Sequence, residues 1–130
     1  MKTLFLVEDN QDNADLIQDL IGDFYHVTWF PDGPSVLAAL TAGDAPLPDL
    51  FLLDISLPGM DGRSLLRNIR SHEHLKQIPA IALTAHAMKS DKENFMSIGF
   101  NGYVSKPITD ERLLLDTIEA HTAQSVRAAA

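Results

Sequence analysis

The sequence predicts an α/β domain: a single doubly wound sheet of five parallel strands, with helices on both faces. Three observations lead there. Short apolar runs alternate along the chain with segments of helical periodicity. The connections between them are short, as right-handed βαβ crossovers require. The central run, Leu50-Phe51-Leu52-Leu53-Asp54, is apolar without alternation, which marks a strand covered on both faces. No internal repeat or long linker divides the 130 residues. One domain over residues 1–122 is therefore expected, with 123–130 as a C-terminal tail.

Each element has its own signal. Residues 3–7 are apolar and partly β-branched and read as a buried strand that ends in Glu8-Asp9. Asn10 is suited to cap a helix whose apolar positions are Ala14, Ile17 and Ile21, with Gly22 at its end. A second strand covers residues 25–30 and contains Val27, Trp29 and Phe30, with no obvious polar group for a site. Pro31-Asp32-Gly33-Pro34 is a loop, and Pro34 suits the first turn of a short helix over 36–40. Residues 43–48 break that helix and lead into the central strand. The breaker-rich loop 55–62 follows it. A third helix runs from Gly62 to Arg70 with Leu65, Leu66 and Ile69 inward, and then a polar connection reaches Pro79.

Residues 80–84 form a fourth strand ending in Thr84. A helix lies within 85–98, closed by Gly99. A short fifth strand over 102–105 ends at Lys106-Pro107. Thr109 or Asp110 caps a last helix that carries Leu114 and Ile118 and ends near His121.

Composition narrows the function. Hydrophobic residues make up 45% of the chain, enough for a real core. The net charge of -8 and a pI near 4.8 disfavour nucleic-acid binding and anionic membrane surfaces. With no cysteine, disulfides and thiolate metal sites are excluded. The apolar opening of the chain is cut by Glu8-Asp9-Asn10 before a signal peptide could form, and no stretch has membrane-spanning length. A cytoplasmic protein is expected.

The chemistry lies at the strand ends. In a parallel sheet all carboxyl ends share one edge, where such folds hold their ligands. Glu8 and Asp9 end the first strand, Asp54 the third, Thr84 the fourth and Lys106 the fifth. If the first and third strands are neighbours, their acids converge. Crowded carboxylates repel, and one ammonium cannot balance them all. A hard divalent cation can, and Mg²⁺ is suited to one or two carboxylates plus water. A G-x-x-x-x-G-K-[ST] phosphate loop and a paired-histidine zinc motif are both missing. Without a third ligand, His72 and His74 read as exposed loop residues. Met88, Phe95 and Ile98 read as the core side of the fourth helix.

Val7-Glu8-Asp9-Asn10, Leu53-Asp54-Ile55-Ser56-Leu57-Pro58-Gly59-Met60-Asp61-Gly62, Leu83-Thr84-Ala85 and Tyr103-Val104-Ser105-Lys106-Pro107 resemble the receiver domain of bacterial two-component response regulators. The likeness covers nearly the whole chain, in order. It implies a flavodoxin-like sheet of order 2-1-3-4-5, which periodicity alone leaves open. It implies that Asp54 is the phosphoacceptor, a nucleophile toward a phosphohistidine on a histidine kinase or histidine phosphotransfer protein. Asp9, Asp54 and the Ser56 backbone carbonyl would bind Mg²⁺, and Glu8 would hold a metal-bound water. Lys106 would pair with Asp54 and then with phosphoryl oxygens, after a cis Lys106–Pro107 bond. The Thr84 hydroxyl would bond another phosphoryl oxygen.

The resemblance further implies a switch. Thr84 would move toward the phosphate and Tyr103 would turn inward, changing a docking surface on the fourth helix, fifth strand and fifth helix for a downstream protein. Ser56 and His86 would tune the phosphoryl lifetime, and Leu16 would be an exposed contact for the phosphodonor. Glu8-Asp9 stands where many receivers have Asp-Asp, and both variants suit the family. The expected function is a stand-alone receiver that catalyses only its own phosphorylation and dephosphorylation and is otherwise no enzyme. The alternatives are a receiver excised from a hybrid histidine kinase, a phosphorylation-independent interaction module with this fold and, more remotely, a hydrolase with Asp54 as nucleophile.

Overall fold

A computed structural model describes residues 1–42, 46–57, 59–85, 89–108 and 110–129, with backbone alone at 89–92 and 123–129. Strands β1 (Thr3–Val7), β2 (His26–Phe30), β3 (Leu50–Asp54), β4 (Ala80–Thr84) and β5 (Gly102–Ser105) alternate with helices α1 (Gln11–Ile21), α2 (Gly33–Leu40), α3 (Gly62–Arg70), α4 (Lys89–Ile98) and α5 (Glu111–Ala129). All strand pairs are parallel, in the order β2-β1-β3-β4-β5. The sheet is therefore the five-stranded, doubly wound one that the chain's alternation predicts. β1 and β3 are neighbours, with Val7 opposite Leu53, so the acids that follow them share one edge.

Alternation along the strands sorts the core into two layers. Phe5, Val7, Phe51, Leu53, Ala80 and Ala82 face one side, where Val36, Leu40, Leu65, Leu66, Ile69 and Phe95 cover them. Leu4, Leu6, Leu50, Leu52, Ile81 and Leu83 face the other, under Ala14, Ile17, Ile21, Leu114 and Ile118. β3 and β4 are buried at every residue, which is why their sequences show no polar alternation. Both layers exclude water from the middle of the sheet and leave its carboxyl edge as the place where charge can be met.

Local chemistry starts the helices where the sequence places them. The Asn10, Asp32 and Asp61 side chains accept from the N–H groups of Asn13, Ser35 and Ser64, and Pro34 lies in the first turn of α2. A cap of the Asp61 kind contributes about 1 kcal/mol. Asp110 caps α5 through the Leu113 N–H at 3.1 Å; Thr109, the other candidate, lies outside the described residues. Gly99 ends α4 with φ at 124°, a conformation that favours glycine. Gly62 is required by contact instead: a β-carbon there would strike the Asp54 carbonyl oxygen and Ile55 Cα. The start of α3 is thus pressed against the end of β3, and the loop between them is held close to Asp54.

Three sequence expectations need correction. The 71–79 connection is not simply polar: it forms a 3-10 turn over Glu73–Leu75, with Leu75 wholly buried in the α2–α3–α4 layer. Two apolar residues, Leu75 and Ile78, in an otherwise polar run are too few to show a period that would reveal it. The last helix does not end near His121 but continues through Ala129, because 122–129 contains no glycine or proline to stop it and is rich in alanine. Strand β2 does contribute a polar group to the site, as described below.

Candidate functional site

The carboxyl edge of the sheet brings together the acids and the lysine. Glu8 and Asp9 follow β1, Asp54 ends β3, and Lys106 follows β5. Carboxylate oxygens of Glu8, Asp9 and Asp54 lie within 4.8 Å of one another. Glu8 and Asp54 are buried, Asp9 is exposed, and the Lys106 ammonium lies 3.0 Å from Asp54 Oδ2 and 3.2 Å from Glu8 Oε2. The remaining oxygens of the buried pair are tied to main chain. Asp54 Oδ1 accepts the Ser56 N–H at 2.9 Å, and Glu8 Oε1 accepts the Asn10 N–H at 3.2 Å.

These contacts do not neutralise the site. Burial, and then the charge of Asp54, raise the Glu8 pKa to about 7, against the opposing pull of Lys106. Burial works against the charged form of Lys106, but its hydrogen bond to Asp54 and the charges of Asp54 and Glu8 outweigh that and raise its pKa. Lys106 thus stays an ammonium while Glu8 becomes readily protonated. The donor set is all oxygen, clustered and over-negative, which is the chemistry of a hard divalent cation site. Among the described residues, this is the one acidic or histidine cluster with such spacing. His72 and His74 face each other edge-on at 6.0 Å and do not join a third ligand.

The other candidates fall around this cluster. Thr84 is buried at the end of β4, and its carbonyl accepts the Lys106 N–H at 2.8 Å, which ties the end of β5 to the end of β4. The Lys106–Pro107 bond is cis. Tyr103, in β5, is half-buried and packs on the α2–α3–α4 core layer. Ser56 is exposed beside Asp54. Leu16 is 41% exposed on α1. His86 and Met88 lie outside the described residues, while Phe95 is buried and Ile98 packs beside it.

Sequence reasoning missed Trp29. From β2, its indole N–H donates to the Glu8 carbonyl at 2.7 Å, while the Glu8 N–H donates to the Phe30 carbonyl at 3.1 Å. Trp29 read as an apolar strand residue, because its polar function is one N–H on a large ring and its partner lies just past the end of another strand.

Two neighbouring strand ends that carry acids, and a lysine reaching back from the edge strand, define a receiver. The family model described as the response regulator receiver domain matches residues 4–118, and the chain belongs to that family, which serves two-component signalling. It is similar to the polar-differentiation response regulator DivK of Brucella ovis, with 38% identity over 92% of this chain and 95% of that protein. Among solved structures it is similar to the receiver domain of sensor histidine kinase PA1611 from Pseudomonas aeruginosa PAO1. There the TM-score is 0.79 and the identity 34%, over 94% of this chain and 98% of that one; the PA1611 structure has a magnesium ion coordinated in its active-site cleft. It is also similar to response regulator Rcp1 in its Mn²⁺-bound form, with a TM-score of 0.74 and 28% identity over 95% and 91% of the two chains. No described helix is long and apolar enough to cross a membrane.

Proposed function

We propose that this receiver accepts a phosphoryl group on Asp54 from a phosphohistidine of a histidine kinase or histidine phosphotransfer protein, in a Mg²⁺-dependent reaction in the cytoplasm. One observation carries the reading: a buried Asp54 lies 3.0 Å from Lys106 in a cluster of acids that a single ammonium cannot neutralise. A carboxylate oxygen of Asp54 attacks phosphorus as the bond from phosphorus to the histidine nitrogen breaks, and the imidazole leaves with the electron pair. Asp9, Asp54 and the Ser56 carbonyl would hold Mg²⁺, and Glu8 would hold a water bound to it. When bound, the ion neutralises charge on the transferring group. Lys106 holds Asp54 in place beforehand and turns to a phosphoryl oxygen afterwards. The Thr84 hydroxyl takes another of these oxygens.

Loss of the acylphosphate by attack of water returns the free carboxylate, and the domain turns over nothing but its own aspartyl phosphate. Ser56 and His86, which follow the acceptor and the threonine by two residues in sequence, are the positions we assign to the lifetime of that group. Thr84 moving to the phosphate opens space that Tyr103 enters. That shift changes the surface of α4, β5 and α5 which a downstream protein reads. The exposed Leu16 on α1 is a contact for the phosphodonor.

The test is incubation with acetyl phosphate and Mg²⁺, read by intact mass. One added phosphoryl group on the wild type is expected, and none on Asp54→Asn or without a divalent ion. An unmodified wild type, or modification that survives Asp54→Ala, would instead mark an interaction module that works without phosphorylation.

A further inference from the structure

Of the three acids in the cluster, Asp9 is held differently. Glu8 is anchored through both carboxylate oxygens, to Asn10 N–H and Lys106, and Asp54 through both of its own, to Ser56 N–H and Lys106. The exposed Asp9 side chain has no hydrogen bond or ion pair among the described residues. Its direction is therefore set by the main chain it leaves from. The Glu8 carbonyl and the Asp9 N–H belong to one planar peptide, so whatever fixes that carbonyl fixes the start of Asp9. Ladder pairing cannot do it. The β1–β2 register ends with Val7 opposite Phe30; one more step of a parallel ladder would bring the Asp32 N–H to the Glu8 carbonyl, but the chain turns into α2 there and that backbone bond is not made. The donor in its place is the Trp29 indole, at 2.7 Å. Its ring cannot drift, because it packs on the α1–α5 core layer.

We infer that Trp29 is a positioning residue for the cation site: by donating to the Glu8 carbonyl it orients the Glu8–Asp9 peptide and so aims the Asp9 carboxylate into the cluster. This rests on the metal-dependent receiver reading above. Trp29 touches no cation ligand atom and acts through the peptide alone, as groups that orient ligating residues do in other metal sites. It is also the chain's single tryptophan, so its indole N–H gives one unambiguous NMR signal from within this linkage.

The deciding experiment is a Mg²⁺ titration of the full chain and of Trp29→Phe, which keeps an aromatic ring but removes the donor. Calorimetry is expected to show Mg²⁺ binding weakened by about tenfold in Trp29→Phe. The acetyl phosphate reaction should slow at limiting Mg²⁺ and recover at saturating Mg²⁺, a split that general loss of packing would not produce. In the wild type the indole N–H signal should shift along the same binding curve. A Trp29→Phe variant that binds Mg²⁺ as tightly as a binding-competent wild type would overturn the inference and leave the receiver reading intact. A wild type that binds no Mg²⁺ would overturn both. If the variant does not fold, the indole signal decides: one that stays fixed while Mg²⁺ saturates the wild type refutes the linkage.

Discussion

The two edges of the sheet handle polar groups in opposite ways. At the amino edge, Arg70 donates to the carbonyls of Leu75, Ile78 and Gly99 and to Asn101 Oδ1, at 2.6 to 3.2 Å. Asn101 Oδ1 also accepts the Ala80 N–H, Asp49 accepts the Thr3 N–H, and the His121 ring bridges the carbonyls of Thr117 and Asn101. Charged groups there are matched to neutral backbone dipoles one by one, and the result is a lock between α3, β4, β5 and α5. At the carboxyl edge, Glu8, Asp9 and Asp54 face one lysine, and Glu8 responds with a raised pKa. One edge is electrostatically finished without a ligand. The other is left over-negative, and that surplus favours a bound cation.

The sharpest way to break this contrast is to unlock the amino edge. Arg70→Ala leaves part-buried acceptors in the 71–79 and 99–101 connections without their donor and is expected to cost about 2 kcal/mol, read as a lower denaturation midpoint in urea. Mg²⁺ affinity should stay within about twofold if the edges are independent, as distant sites generally are; a large loss would mean that they are coupled.

The next effect tests the carboxyl edge. Mg²⁺ at a hundred times its dissociation constant should stabilise the wild type by about 2.7 kcal/mol. Asp9→Asn, measured at the same Mg²⁺ concentration by thermal shift, should lose most of that gain, whereas Arg70→Ala should keep it.

A smaller effect follows from Glu8. Its folded pKa of about 7 lies above the ordinary 4.5, so folding favours its protonated form. The resulting stability is fully present below about pH 4.5 and is lost as pH rises through 7 in the metal-free protein. Glu8→Gln should flatten that slope between pH 5 and 8 in chemical denaturation. Saturating Mg²⁺ should also flatten it in the wild type, by favouring the carboxylate. An unchanged slope in Glu8→Gln would place the charge imbalance elsewhere.

Much of this architecture was legible because it is local. Apolar runs that stop at Glu8, Asp54 and Thr84 mark strands and their ends, and Asn10, Asp32 and Asp61 announce helix starts within four residues of their partners. The acids, the threonine and the lysine stood out because each interrupts an apolar segment. Arg70 and Trp29 did not. Arg70 reads as an ordinary cation in the last turn of α3, and its acceptors lie 5 to 31 residues away. Leu75 was hidden by its polar neighbours, and the reach of α5 to Ala129 by an absence of stop signals rather than by any positive one.

Strand content, helix caps and the identity of the reactive side chains are properties of short stretches, and hydrophobic spacing and side-chain chemistry suffice to read them. The strand order was supplied by resemblance, since no periodicity encodes which strands pair. Folding alone sets Asp54 3.0 Å from Lys106, brings Trp29 to the Glu8 carbonyl and lifts the Glu8 pKa. Burial, distance and dielectric surroundings arise between segments remote in the chain, and those are what turn a few polar interruptions into a charged site.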